Sequence, residues 1–577
     1  MDLSSLGRTR SRLGKLENEL IDEFESGLIS RRGLLVKGSV LGLSLGVIGS
    51  IISACGGDDD SGDSTGTTAA GGDTGTTAAG GTDTTAAPAG GIKKGGTLKV
   101  ASQRPGSPLD PVGMDNLGTY TIVATPLEYL CGKGEGAALA PMLAESWSPN
   151  DDGSVWTFKL RSGVTWHDGS PFTSADVVAT LDRLAPGNLA AYIVEGAAKA
   201  IDDLTVEVTL NAPDGQFPYQ VSLWNPQSLI APASFASGTT LDKTPVGTGP
   251  FKLDSFDVAT GAKFVRNDTW WGGTPYLDSV EYVFSDDIQT QITGVLGGQA
   301  DAIVLFAVQG GDALLNNDDV TVESIPGASH RQLWMNTREG TFTNKALRQA
   351  IAYAINRQEL LDTILKGRGT IGNDHPIAPV YEFFDPSLAQ REQDLDKAKS
   401  LMEEAGLADG LDVTLYVPDL IEIPQLAELI QTQLKEIKVN VTLNVESTDT
   451  FYDEWCKVYD SKTEPAGCDG GQEFGIVDYG NRGTPDVYLV KAYATGEWNS
   501  AHYISEDFRA AVKEYQASLD LDGRKAAVKK IQAIANEDVP YVIPYFYDSL
   551  FAYKKGVQGI VATGLGHFYL GAAGFAE

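Results

Sequence analysis

The pattern of apolar and polar positions divides the chain into three zones. Residues 38–54 carry no charge, a run at the short limit for a membrane-spanning helix. Residues 56–91 form a Gly/Thr/Ala tract without a large apolar side chain, in which residues 65–73 recur almost unchanged as 74–82. Such a tract cannot bury enough surface to fold. As a flexible coil it spans roughly 30–35 Å, so it reads as a tether. From residue 92 onward, alternating and helical periods replace one another at short intervals.

In that third zone residues 95–101 predict a first strand. Trp156, Phe158 and Leu160 alternate with polar residues as a half-buried strand; Arg161-Ser162-Gly163 turns the chain into a second strand through Trp166 and His167, and Asp168-Gly169 makes the next turn. Thr173 or Ser174 caps a following helix. Residues 344–366 are helical in pattern. Asp394 caps a helix ending at Gly406, and Leu411, Val413, Leu415 and Val417 alternate as a strand. Pro424 opens a helix with Leu426, Leu429, Ile430, Leu434 and Ile437 on one face, and residues 439–445 alternate again. This strand–helix–strand unit implies a parallel pair. Residues 505–519 and 523–537 read as a helical hairpin. Residues 541–546 read as a last strand, placed near an edge by Pro544. The whole is an α/β protein.

Composition sharpens the picture in two places. The formal net charge is −33, and residues 1–54 are close to neutral, so the excess belongs to the body. An acidic surface repels nucleic acid and anionic lipid. Of the four cysteines, Cys456 and Cys468 enclose a short loop and are expected to form a local disulfide outside the cytoplasm, two separate thiols being the alternative. Cys131 is then unpartnered and buried.

Ser30-Arg31-Arg32-Gly33-Leu34-Leu35-Val36-Lys37, the uncharged run and Ile52-Ser53-Ala54-Cys55 together resemble a twin-arginine signal ending in a bacterial lipobox. That resemblance implies a signal over residues 1–54, lipidation of Cys55, and a body anchored to the membrane on the extracytoplasmic side. An uncleaved N-terminal anchor is the alternative.

The body carries a second resemblance. Leu143-Ala-Glu-Ser-Trp147, Trp156-Thr-Phe-Lys-Leu-Arg161, His167-Asp168-Gly169 and Thr173-Ser-Ala-Asp-Val177 look like the signature of the peptide/nickel class of ABC-transporter solute-binding proteins, family 5. Val246-Gly-Thr-Gly-Pro-Phe251, Trp270-Trp271-Gly272, Gly297-Gly298-Gln299-Ala300-Asp301, Met335-Asn336-Thr337 and residues 346–355 follow in that family's order. The resemblance implies a two-lobe periplasmic-binding-protein-like fold with an extra inserted domain and a ligand cleft between the lobes. The layout it implies is lobe I at 92–131, 239–333 and 545–577, the extra domain at 132–238, and lobe II at 334–544. It also implies a receptor that delivers a solute, an oligopeptide by default, to an ABC permease. An oligosaccharide or other small organic solute is the alternative within the fold; a secreted hydrolase or a non-transport sensor is the alternative outside it. Because a two-lobe receptor must hinge freely, a monomer is expected.

Several catalytic-looking patterns do not fit their context. Gly42-Leu-Ser-Leu-Gly46 lies in the signal segment, where no strand–turn–helix presents Ser44. Gly367-Arg-Gly-Thr-Ile-Gly372 follows a helix instead of a strand. His167-Asp168 is turn chemistry, and the five histidines (167, 330, 375, 502 and 567) show no metal-ligand spacing. No cofactor, metal site or catalytic centre is expected. Ligand candidates come from aromatics beside charges in loops. Asp478, Tyr479 and Arg482 leave an apolar strand end together. In peptide-binding members an aspartate at the place matching Asp478 pairs with the peptide's α-amino group; the alternative is that Arg482 grips a carboxylate instead. Trp498 and Asn499 lie in another loop, Trp334 ends a strand where the lobes join, and Tyr120 follows the first strand. Trp147, Trp156 and Trp166 are assigned to the signature region, and Trp270 and Trp271 to packing.

Overall fold

The computed structural model describes residues 91–114, 116–235, 238–455, 472–494 and 498–577. The signal, the tether, Cys55, Cys456 and Cys468 lie outside them. Lys93–Ala576 form one compact unit.

Two large sheets organise this unit. The first runs, edge to edge, through Val320–Ile325, Ser549–Lys554, Ala302–Phe306, Thr97–Ser102, Ser279–Phe284, Gly261–Arg266 and Phe251–Asp257. Thr97–Ser102, the expected first strand, sits at its centre and pairs in parallel on both sides. The second runs through Gly369–Ile371, Tyr545–Tyr547, His330–Met335, Phe474–Tyr479, Leu411–Pro418 and Val439–Glu446. A four-stranded sheet of Ala144–Pro149, Val155–Leu160, Thr205–Thr209 and Ala198–Asp202 stands apart from both.

The local predictions hold where one face decides burial. Trp156, Phe158 and Leu160 are buried on alternate positions of Val155–Leu160. Asp176 accepts the Thr173 N–H at 2.8 Å at the start of Ser174–Leu184. Asp394 accepts from Lys397 N at the start of Leu395–Glu404. Leu411–Pro418 and Val439–Glu446 pair in parallel around Ile423–Lys435, whose Leu426, Ile430 and Leu434 are fully buried. Cys131 is buried and free.

Three segments differ. Residues 164–167 form no strand, only the isolated bridge between Thr165 and Pro171, because the Trp166 N–H folds back to Ser170 O and the His167 N–H goes to Gly247 O. Helix 344–366 is two helices, Lys345–Ala354 and Arg357–Leu365, since Asn356 caps the second through Glu359 N. Residues 541–546 split at Pro544 into Tyr541–Val542, which pairs with His330–Met335, and Tyr545–Tyr547, which lies one strand in from the edge; the expected near-edge place is found, but further strands follow.

The chain passes between the two large sheets at 326–329, after Val320–Ile325, and at 548, between Tyr545–Tyr547 and Ser549–Lys554. His330–Met335 belongs to the second sheet because it pairs along its whole length with Phe474–Tyr479. The crossings are tied to one another: Tyr547 N–H donates to Ser329 O at 2.9 Å.

Candidate functional site

Phe474–Tyr479 delivers its last two side chains to opposite faces of the second sheet, as the two-residue period of a strand requires. Asp478 lies opposite Arg331 in the ladder and forms an ion pair with it through Nη1. The other side of the guanidinium reaches Glu422, Nε to Oε1, at 2.7 Å. Tyr547 lies under the same guanidinium, 4.5 Å from ring centroid to carbon, and donates its hydroxyl to Asp478 Oδ1 at 2.9 Å. The Arg331 and Glu422 side chains are almost wholly buried, at 2% and 6% exposure, while Asp478 retains 27%. Burial opposes the charge on Arg331, yet Tyr547, Asp478 and Glu422 outweigh it and hold the guanidinium well above its ordinary pKa. One cation therefore answers two carboxylates, and the cluster carries one surplus negative charge. Among the described residues both hydrogen bonds to the Asp478 carboxylate fall on Oδ1. Burial, then the charge on Asp478, pushes the neighbouring Tyr452 up to about 12.

Tyr479 turns the other way and is buried, stacked on His330 at 5.3 Å and donating to Trp498 O at 3.3 Å. The chain then enters a loop built around the crossings. Asn481 accepts from Ala328 N at 2.8 Å and donates to Gly564 O at 3.0 Å. Arg482 is half-buried; its guanidinium donates to Asn481 O at 2.8 Å and meets no carboxylate among the described residues. Its own carbonyl accepts from Tyr381 OH at 3.0 Å. Gly483 lies on the indole of Trp224, so close that a Cβ there would stand 2.3 Å from Cγ. Trp224 is fixed by an N–H bond to Ala137 O at 3.1 Å, and it packs against the buried clusters of both lobes.

The structure thus gathers Asp478 and Arg482, with Asn481, Gly483 and Trp224, at the junction of the lobes. The other candidates stand elsewhere. Trp334 is fully buried and its indole donates to Gln472 O. Asn499 is 3% exposed and spends its amide on Tyr503 and Tyr541. Trp498 is half-buried under Lys491, whose ammonium lies 4.7 Å from the ring. Tyr120 is buried with its hydroxyl 2.7 Å from His567 Nδ1. His167 is structural, held between Gly247 N and Gly249 O. Asn481, Trp224 and Arg331 did not stand out in the sequence, because nothing local marks a residue whose partner lies a hundred positions away. Glycine at 483 was the one available signal of a close approach.

Among the described residues no group of His, Cys, Asp and Glu side chains could hold a metal ion, and no helix is long and apolar enough to cross a membrane.

Residues 138–472 match the bacterial extracellular solute-binding proteins, family 5 (middle). The chain is 25% identical over 466 residues to heme-binding protein A of Haemophilus influenzae, covering 74% of this chain and 83% of the relative. It is 24% identical over 495 residues to the dipeptide-binding protein of Escherichia coli, covering 78% and 89%. The structure of HbpA2 from Haemophilus parasuis superposes with a TM-score of 0.73 at 22% identity, covering 84% of this chain and all of that one. A family match over more than half the chain, together with a two-lobe fold shared along nearly its whole body, establishes that this chain belongs to the family 5 extracellular solute-binding proteins, receptors of ABC importers and not enzymes.

Proposed function

We propose that this receptor is lipid-anchored through Cys55, works as a monomer, and captures a short peptide between its lobes for delivery to an ABC permease. The observation that carries the ligand reading is the opposite charge at the two ends of residues 478–482. Asp478 belongs to a cluster with a surplus negative charge, and Arg482 meets no carboxylate among the described residues. A zwitterionic peptide complements both: its ammonium engages Asp478 Oδ2 and its carboxylate engages the planar guanidinium of Arg482. Trp224 and Tyr381 supply aromatic and polar walls, and hinge motion about residues 326–329 and 548 closes the lobes over the solute. The dipeptide-binding relative accords with this reading.

Native mass spectrometry of the full chain, purified without added solute and gently desalted, tests it. Adducts that resolve into short peptides, lost in Asp478→Asn and in Arg482→Ala, are the expected result. A single discrete non-peptide mass would overturn the peptide assignment. The anchor is tested separately by the mass of the N-terminal fragment, which must begin at Cys55 and carry acyl chains.

A further inference from the structure

Away from the lobe junction lies a cavity of about 180 Å³ lined by Glu128, Met142, Trp270, Trp271, Phe568 and Leu570, among others. Its floor is a buried carboxylate. Glu128 is 4% exposed and accepts the indole N–H of Trp270 at 3.1 Å on Oε1 and that of Trp271 at 2.8 Å on Oε2. No cationic group forms a salt bridge with it among the described residues. The Arg161 guanidinium, whose charge acts on Glu128, is stacked on Trp271, 4.2 Å from the ring centroid. Trp270 is wedged between two backbones, since a Cβ on Gly272 or Gly571 would meet its ring at 2.4 or 2.3 Å. The indoles are thereby locked before any ligand arrives.

This is more than a packed corner. A carboxylate offers about four lone-pair positions; the indoles take two and the Thr248 hydroxyl lies beside a third. Neither indole N–H remains available to an anion. What is left is negative charge and aromatic surface at one end of the cavity, and thioether and hydrocarbon along the rest. That combination recognises a cation with an apolar tail. At a share of ~30 Å³ per water the cavity accepts roughly six water-sized groups, the scale of a short alkylamine.

We propose that this cavity is a second ligand site, one that takes a small primary ammonium ion with its N–H groups on Glu128 and its alkyl chain against Met142, Phe568 and Leu570. The site is independent of the lobe junction. Burial pushes Glu128 up to about 7, against the opposing pull of Trp271, the Thr248 hydroxyl, Trp270 and Arg161. The titratable or charged groups facing it are Arg161 and Tyr569, whose phenol burial pushes well up. Ammonium binding therefore competes with a proton.

The test is calorimetric titration of n-butylammonium into the full chain. Saturable binding at pH 8 that weakens roughly tenfold or more at pH 5.5, as Glu128 takes up its proton, is expected. Glu128→Gln should abolish it; Met142→Trp, which fills the cavity and leaves the carboxylate in place, should do the same and serves if Glu128→Gln does not fold. Asp478→Asn should leave it unchanged. No saturable heat at pH 8, equal binding of neutral 1-butanol, or binding that survives Met142→Trp and is lost in Asp478→Asn would each overturn the proposal.

Discussion

Trp224 and Gly483 are in direct contact across the lobe junction, the indole of one lying flat enough on the backbone of the other that a single added methyl would fall 2.3 Å from Cγ. The ring cannot simply withdraw, because its N–H is held by Ala137 O at 3.1 Å. Gly483→Ala is therefore expected to cost about 1–3 kcal/mol of stability, the usual range for overpacking. Urea unfolding measures it. Trp224→Leu in the same chain should return part of the loss, a coupling absent if the two residues do not touch.

Arg331 offers a larger effect. Its removal in Arg331→Met leaves Glu422 buried without a cation and Asp478 without its main partner. Breaking a buried pair from one side costs about 3–5 kcal/mol, and a fall of that size in unfolding free energy is expected. Asp478→Asn should cost less than half as much, since its carboxylate is partly solvated and an exposed partner contributes little. Equal losses would mean that the cluster does not divide into a buried anchor and a ligand-facing carboxylate.

Asn481 is a donor to Gly564 O and an acceptor from Ala328 N in one side chain. Asn481→Asp keeps the acceptor and turns the donor into a second acceptor facing a carbonyl oxygen. The expected loss is about 1–3 kcal/mol, with faster amide exchange at Ala328. Unchanged exchange there would count against a role at the crossings.

Asp214 sets a pH dependence. Burial, then the charge of Asp486, raises its carboxyl to about 6, against the opposing hydrogen bond from Gln216 N. A carboxyl whose folded pKa lies above its unfolded value binds its proton more tightly in the folded state. Its contribution is full below about pH 4 and is lost as pH rises through 6. Asp214→Asn, which keeps the acceptor for Gln216 N, should flatten the stability profile between pH 4 and 6 and raise stability at pH 7 by about 1–3 kcal/mol. Equilibrium unfolding of both chains across pH 4–7 gives the difference; parallel profiles would refute the assignment.

The elements and the class follow from short-range pattern alone. Alternation at Trp156, Phe158 and Leu160, capping at Thr173 and Asp394, and the apolar face of Ile423–Lys435 each depend on neighbours within a few positions, and each is found in the structure. Where a neighbour further off intervened, the local signal failed. Residues 164–167 gave up a strand because Gly247 took the His167 N–H. The candidate site was only half legible. Asp478 and Arg482 could be picked out as charges leaving a strand beside glycines, but Trp334 and Asn499, chosen on similar grounds, lie in the interior. That Asp478 meets an arginine 147 positions away, or that Glu128 meets the indole of Trp271 at a separation of 143, is visible in the folded chain and not in the sequence. A side chain's period along its own element fixes which way it faces. What it meets there is fixed by strand order and register, which are set by the burial of whole sheets and leave no mark on the few residues around it.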